Sequence, residues 1–270
     1  MATVLLTRPR LRSTGTDVLQ RTLAAAGATV VELPMISFHT PPELTELDQA
    51  LSRAARGTFA AIILSSPTAV QFMEARLTEL SLLDLMRITG RFAAVGEATA
   101  RALSELGLTV AYPIPPRGGS AQLATLLSGY ALTARPVLLL QSQLGLGVLE
   151  DSLSAIGALA ERVTLYHTAG PSVGDVARLM LALESRTPPN VITFFSPSAV
   201  HNFVRVLAET DSRLLRSLPA LACIGETTAK AVEETLHRRP EIVARKADQQ
   251  SLAEDILEYL GPAVQGESNR

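Results

Sequence analysis

The sequence predicts an α/β protein of two similar lobes, each a five-stranded parallel sheet flanked by helices, and three observations lead there. First, the chain repeats itself. SSPTAVQFM at residues 65–73 is answered by FSPSAVHNFV at 195–204, and AVGEATA at 94–100 by CIGETTA at 223–229. A third pair matches Val4-Leu5-Leu6 through Leu23-Ala-Ala-Ala-Gly-Ala28 with Val137-Leu138-Leu139 through Leu153-Ser-Ala-Ile-Gly-Ala158. Second, short apolar runs alternate with stretches whose apolar residues lie three and four apart, the pattern of buried parallel strands between amphipathic helices. Third, the repeated units come in a permuted order, as when one lobe is inserted into the other.

The elements follow in order. Thr3–Thr7 reads as a strand and Val18–Ala25 as its helix; Thr29–Leu33 is the next strand. Ala60–Leu64 is a continuous apolar run, followed by helical spacing over Ala69–Leu80. Phe92–Val95 and Thr109–Ala111 are strands around a helix at Ala98–Leu106, and Ala121–Leu127 is helical. Pro136–Leu140, the helix Val148–Ile156 and the strand Arg162–Tyr166 complete a lobe. Val176–Leu183 is helical, Val191–Phe195 is a strand, and Ala199–Leu207 is helical again. Leu221–Ile224, Thr227–Leu236, Glu241–Ala244 and Leu252–Leu260 repeat strand and helix to the end.

Residues 1–36 and 170–262 are expected to form one discontinuous lobe, and 41–164 the inserted, permuted copy, with 263–270 a flexible tail. The chain crosses twice, at Met35–Pro42 and Leu165–Val173, each an extended segment with Pro or Gly. The cleft between two such copies, at the carboxyl edges of the sheets, is the expected place for a ligand.

Composition narrows the function. Among 270 residues the net charge is −2, so no basic field points to nucleic acid. One cysteine, Cys223, rules out an internal disulfide and a cysteine zinc cage and fits a reducing cytoplasm. The four histidines are scattered without metal-ligand spacing, so no metal is expected. No apolar stretch reaches the roughly 18–20 residues of a membrane span. The N-terminus runs straight into a strand, with no signal-peptide pattern.

The turns carry the chemistry. In Ser66-Pro67 and Ser196-Pro197, Ser caps a helix and Pro takes its first position, where a missing N–H costs nothing. Each alone reads as a well-made helix start. Their matched occurrence, with Ser198 beside the second, makes a shared ligand role the sharper reading, because free N–H groups at such ends attract anions. Gly96 and Gly225, the latter followed by Thr227 and Thr228, do the same one strand later. Gly118 and Ser120 form a third start. Arg8 and Arg10, just after the first strand, can clamp a carboxylate, or they can be loop arginines in salt bridges. Tyr166 ends the last strand of the inserted lobe. A phenol there can give a proton to a leaving group, although position alone favours a packing tyrosine.

VLLTRPR, SSPTAV, FFSPSAV, VGEATA, IGETTA and the LYHT crossing strand, taken in order, resemble the uroporphyrinogen-III synthase family from Val4 to about Leu260. The resemblance implies two α/β lobes joined by a two-stranded linker, with the active site between them. It implies a lyase that closes hydroxymethylbilane, a linear tetrapyrrole with eight carboxylate arms. Water is lost, ring D is inverted, and uroporphyrinogen III results, on the way to haem, chlorophyll and cobalamin. It implies no cofactor, no nucleic acid or membrane partner, a cytoplasmic monomer, and at most transient contact with hydroxymethylbilane synthase. The family's tyrosine maps to Tyr166, the candidate acid for the departing hydroxyl. Its hydroxyl and glycine turns map to Ser66, Ser196, Gly225, Thr227 and Thr228. The sequence departs from the family at Gln141-Ser142-Gln143, where many members carry an Arg-Gly turn. The competing reading is a two-lobed, non-catalytic binding protein for a polyanionic small molecule.

Overall fold

A computed structural model describes residues 2–9, 17–116, 119–145 and 147–261. In chain order the elements are β1 (Thr3–Leu6), α1 (Val18–Ala25), β2 (Thr29–Glu32), β3 (Ser37–His39), α2 (Thr45–Ala55), β4 (Ala61–Leu64), α3 (Pro67–Glu79), α4 (Leu83–Thr89), β5 (Phe92–Ala94), α5 (Glu97–Glu105), α6 (Ser120–Leu127), β6 (Pro136–Ser142), α7 (Val148–Ala155), β7 (Leu159–Ala169), α8 (Val173–Leu183), β8 (Val191–Phe194), α9 (Pro197–Thr210), β9 (Ala220–Cys223), α10 (Glu226–Leu236), β10 (Ile242–Val243) and α11 (Gln249–Leu260). They divide into two compact units, Met1–Ser37 with Ala169–Arg270, and Phe38–Thr168.

The discontinuous unit holds a sheet in the order β10-β9-β8-β1-β2, with each of these pairs parallel. Successive strand side chains point to opposite faces. Val4 and Leu6 of β1 therefore join Leu19, Leu23, Leu252 and Ile256 in one core under α1 and α11. Leu5 lies between them and is equally buried. Two threonines staple the unit's N-terminal strand to its neighbour. Thr7 Oγ1 donates to the Thr193 carbonyl at 2.6 Å, and Thr193 Oγ1 donates to the Leu5 carbonyl at 3.0 Å. Both side chains are buried, so leaving either hydroxyl unpaired would cost about 1–3 kcal/mol.

The continuous unit holds the order β3-β7-β6-β4-β5. Its pairs β7–β6, β6–β4 and β4–β5 are parallel. Ile62, Leu64, Leu138 and Leu140 feed one core with Phe72, Met73 and Leu103, while Ala61, Ile63, Val137 and Leu139 feed another with Leu123, Leu127 and Leu153. A sheet buried on both faces explains why β4 and β6 read as unbroken apolar runs.

The structure corrects one strand. Thr109–Ala111 makes a single isolated bridge, Phe92 to Val110, and no strand. Beyond it come Pro113, Pro115 and Pro116, which have no N–H to give a ladder. The fifth strand of that sheet is β3, from the segment expected to be a linker, and it lies beside β7. β7 itself runs on to Ala169, past the expected end at Tyr166.

Candidate functional site

In the continuous unit the carboxyl ends of β4, β6 and β7 lie side by side. β4 ends at Leu64, and Ser66 then caps α3 by accepting the Ala69 N–H at 3.1 Å, with Pro67 opening the helix. β7 delivers Tyr166, whose hydroxyl lies 3.3 Å from the Ser66 hydroxyl. The phenol is 7% exposed. Phe72 stacks on its ring at 5.1 Å and 24°, and Phe38 meets it edge-on at 5.4 Å and 84°. Those rings fix the direction of the phenol, leaving the hydroxyl at the helix N-terminus, where partial positive charge collects.

Between them, β6 ends in the Gln141-Ser142-Gln143 turn, with a register shift against β7 that sets Ser142 opposite Tyr166. Gln143 grips β7 at two points: Nε2 donates to the Thr168 carbonyl and Oε1 accepts the Thr168 N–H, each at 2.8 Å. Its own N–H donates to the Tyr166 carbonyl at 3.2 Å. Arg162 donates to the Gln143 carbonyl at 3.2 Å. The turn that departs from the family pattern thus holds the strand carrying Tyr166. Gln141 is buried, its Nε2 makes no hydrogen bond among the described residues, and its side chain lies where a Cβ on Gly145 would have to go. Only glycine fits at 145 with Gln141 in that position.

The other expected starts differ in detail. Gly96 and Gly225 precede α5 and α10 with φ of −161° and 174°, extended backbone open to any residue, so no tight turn demands glycine there. What glycine leaves is room. Among the described residues, nothing lies within 4 Å of a Cβ on Gly96, and at Gly225 the nearest atom is the Ala247 Cβ at 3.5 Å. Ser120 opens α6 after Gly119, whose φ of 107° does call for glycine. Gly118 and Arg10 lie outside the described residues.

In the discontinuous unit, Ser196 caps α9 by accepting the Ala199 N–H at 3.3 Å, and Ser198, the second residue of the helix, is exposed. Thr227 and Thr228 part company: Thr227 is exposed and Thr228 is only 3% so. The repeat explains it. Thr99, the counterpart of Thr228, is also 3% exposed, and the N–H of each donates to the glycine carbonyl three residues back at 3.1 Å. Burial of this second threonine is a packing feature of both units, whereas Thr227 has Ala98 as its counterpart.

Arg8 is 5% exposed, at the end of β1. Its guanidinium lies against the Asp17 carboxylate in an ion pair, with Glu32 at 3.9 Å and the Phe195 ring at 5.6 Å. Burial lowers the guanidinium pKa from its ordinary value, and the Glu32 charge opposes that. Asp17 also caps α1, accepting the Gln20 N–H at 3.1 Å. Of the two sequence readings, the salt-bridged one describes how Arg8 is held.

The sequence missed Phe38 and Phe72, and marked Gln143 only as part of the turn that departs from the family pattern, not as a brace on β7. Phe72 sits within the repeated SP segment, and Phe38 sits in a crossing. No local pattern marks the two rings, because they meet Tyr166 only once the chain has folded. Among the described residues no group of three or more His, Cys, Asp or Glu is placed to hold a metal, and no helix is long and apolar enough to cross a membrane.

Comparison with known proteins gives a consistent answer. The family described as Uroporphyrinogen-III synthase HemD matches residues 17–254. A uroporphyrinogen-III synthase of Synechococcus elongatus is 30% identical over 222 residues, covering 80% of this chain and 81% of the relative. The porphyrin biosynthesis protein HemD of Ruminiclostridium josui is 27% identical over 260 residues, 96% of this chain but 48% of that longer protein. Among solved structures, the uroporphyrinogen-III synthetase of Helicobacter pylori matches with a TM-score of 0.61 at 17% identity, over 96% of this chain and all of that one. A mutant uroporphyrinogen III synthase of Thermus thermophilus matches at 0.58 and 19%, over 99% and 100%. At such identities the structural likeness speaks for the fold alone.

Proposed function

The chain belongs to the uroporphyrinogen-III synthase family, and from that premise we propose that it closes hydroxymethylbilane to uroporphyrinogen III, as a lyase without a cofactor. Family membership favours this over a non-catalytic binding protein. The observation that carries the reading is the hydroxyl pair at the carboxyl edge of the continuous unit, Tyr166 on β7 against Ser66 at the start of α3.

The chemistry needs little from the protein beyond holding and protonating. Loss of the substrate's hydroxyl as water leaves an azafulvene cation on ring A. Ring D then attacks through its substituted carbon, and fragmentation with reclosure inverts that ring. Ser66 Oγ already accepts the Ala69 N–H, so its own proton is free for the Tyr166 oxygen. Tyr166 then directs its O–H outward, toward the departing hydroxyl. The helix N-terminus behind the pair stabilises negative charge left on the phenol. Eight carboxylates would be received at the helix starts marked by Ser66, Gly96, Ser120, Ser196, Ser198, Gly225 and Thr227. Backbone N–H groups hold anions there without one rigid geometry, as a substrate that must flip a ring requires.

Supplying enzymatically generated hydroxymethylbilane, oxidising the products and separating the porphyrin isomers tests this. Type III in excess is the expected result. Type I alone, the product of spontaneous closure, would overturn it.

A further inference from the structure

The turns that leave β8, β9 and β10 hold two cations among the described residues, and they are not equivalent. Arg245 is spent: its guanidinium meets Asp255 at 2.5 Å and Glu258 at 3.2 Å. Lys246, the next residue, is exposed, and no ion pair among the described residues involves its ammonium. Its backbone is held. The Lys246 N–H donates to Ser251 Oγ at 3.1 Å, and its carbonyl accepts the Asp248 N–H at 2.7 Å. Asp248 is itself committed to capping α11, accepting the Ser251 N–H at 2.8 Å.

This rigid turn abuts the glycine turn at the start of α10, since a Cβ on Gly225 would come within 3.5 Å of the Ala247 Cβ. The first residue of α10 is Glu226, exposed and negative, which would repel an arriving carboxylate. A cation on the adjoining turn offsets that repulsion. The internal repeat adds an independent observation. Arg117 stands 129 residues before Lys246, the offset that relates Gly96 to Gly225 and Leu123 to Leu252. The structure of Arg117 lies outside the described residues, but the sequence places a cation at this point in both copies.

We propose that Lys246 is a further substrate-binding residue, whose ammonium receives one carboxylate of the tetrapyrrole beside the Gly225–Thr227 turn. The inference rests on the synthase reading above. The charge sits on an exposed, flexible stem, so its contribution is modest and screened by salt.

The test is a steady-state comparison of wild type, Lys246→Met, Lys246→Arg and Arg239→Gln on enzymatically generated hydroxymethylbilane at low and moderate ionic strength. Arg239 is an exposed cation beyond the far end of α10, paired with Glu233, and controls for net charge. Lys246→Met should raise KM about three- to fivefold at low salt with kcat and thermal midpoint unchanged. Its KM should respond less to salt than that of wild type, and Lys246→Arg should restore both. Lys246→Met matching wild type, or matching Arg239→Gln, would overturn the inference while leaving the synthase reading intact. Wild type yielding only type I product would instead sink the synthase reading and the inference with it.

Discussion

The Tyr166 hydroxyl lies 3.3 Å from the Ser66 hydroxyl, joining the end of β7 to the start of α3 across 100 residues of sequence. One of these groups caps a helix and the other is clamped between two phenylalanine rings, so neither is free to drift.

That pairing makes a kinetic prediction. Tyr166→Phe keeps the ring packing and should lower kcat by about tenfold to a hundredfold, below the ceiling for general acid help because a pyrrolic hydroxymethyl group leaves readily. Type III should still dominate among turnovers. Ser66→Ala should cost about 1 kcal/mol of stability through the lost cap and reduce kcat more weakly. If Ser66 acts through Tyr166, its effect on kcat should vanish in the Tyr166→Phe background. Additive losses would mean that the two act separately.

The two threonines of the GETT turn should separate experimentally. Thr227→Ala, exposed, should weaken binding of uroporphyrinogen III by about 1 kcal/mol with an unchanged thermal midpoint. Thr228→Ala removes a buried side chain and should lower stability by about 1–2 kcal/mol with little change in affinity. Anaerobic titration calorimetry and thermal unfolding of both variants are the measurements. Equal affinity losses would show that burial does not distinguish them.

Gln143 should behave as a brace for Tyr166's strand. Gln143→Ala removes both bonds to Thr168 and should cost about 1–3 kcal/mol. The Thr168 amide should exchange faster with solvent. Gln143→Glu should be no better, because a carboxylate cannot donate to the Thr168 carbonyl. Unchanged exchange at Thr168 in both variants would refute the brace.

Cys223 is fully buried in β9, and burial first, then the charges of Glu226 and Glu241, push its thiol up to about 12. The native thiol should therefore resist thiol reagents at pH 9 and react only on unfolding. A thiol ionises near 8.5 in the unfolded chain and far higher in the folded one. Any stability it contributes is complete below about 8.5 and falls as pH rises toward 12. Cys223→Ala should flatten that alkaline decline. Rapid labelling of the native protein at pH 9 would contradict the burial.

Much of the architecture was legible in the residues. Ser66-Pro67 and Ser196-Pro197 announced two capped helices, and both form at those positions. The apolar runs of β4, β6 and β8 announced buried parallel strands, and they pair as such. These features are local: a cap needs only the next three residues, and a buried strand shows in four consecutive side chains. Other properties belong to neighbours distant in sequence. Which segment fills the last place in a sheet was decided by pairing, so β3 stands beside β7 and Thr109–Ala111 makes only a bridge. The burial of Thr228 against the exposure of Thr227 was decided by the way α10 lies on its unit. The Phe38 and Phe72 rings around Tyr166 and the grip of Gln143 on Thr168 were decided by strand order and a register shift. The sequence by itself determined two copies of an α/β unit and the turns that open their helices, because helix caps and hydrophobic periodicity are short-range. Only the tertiary structure decided which hydroxyls face one another and which are packed away, because contact and burial depend on residues that the chain keeps far apart until it folds.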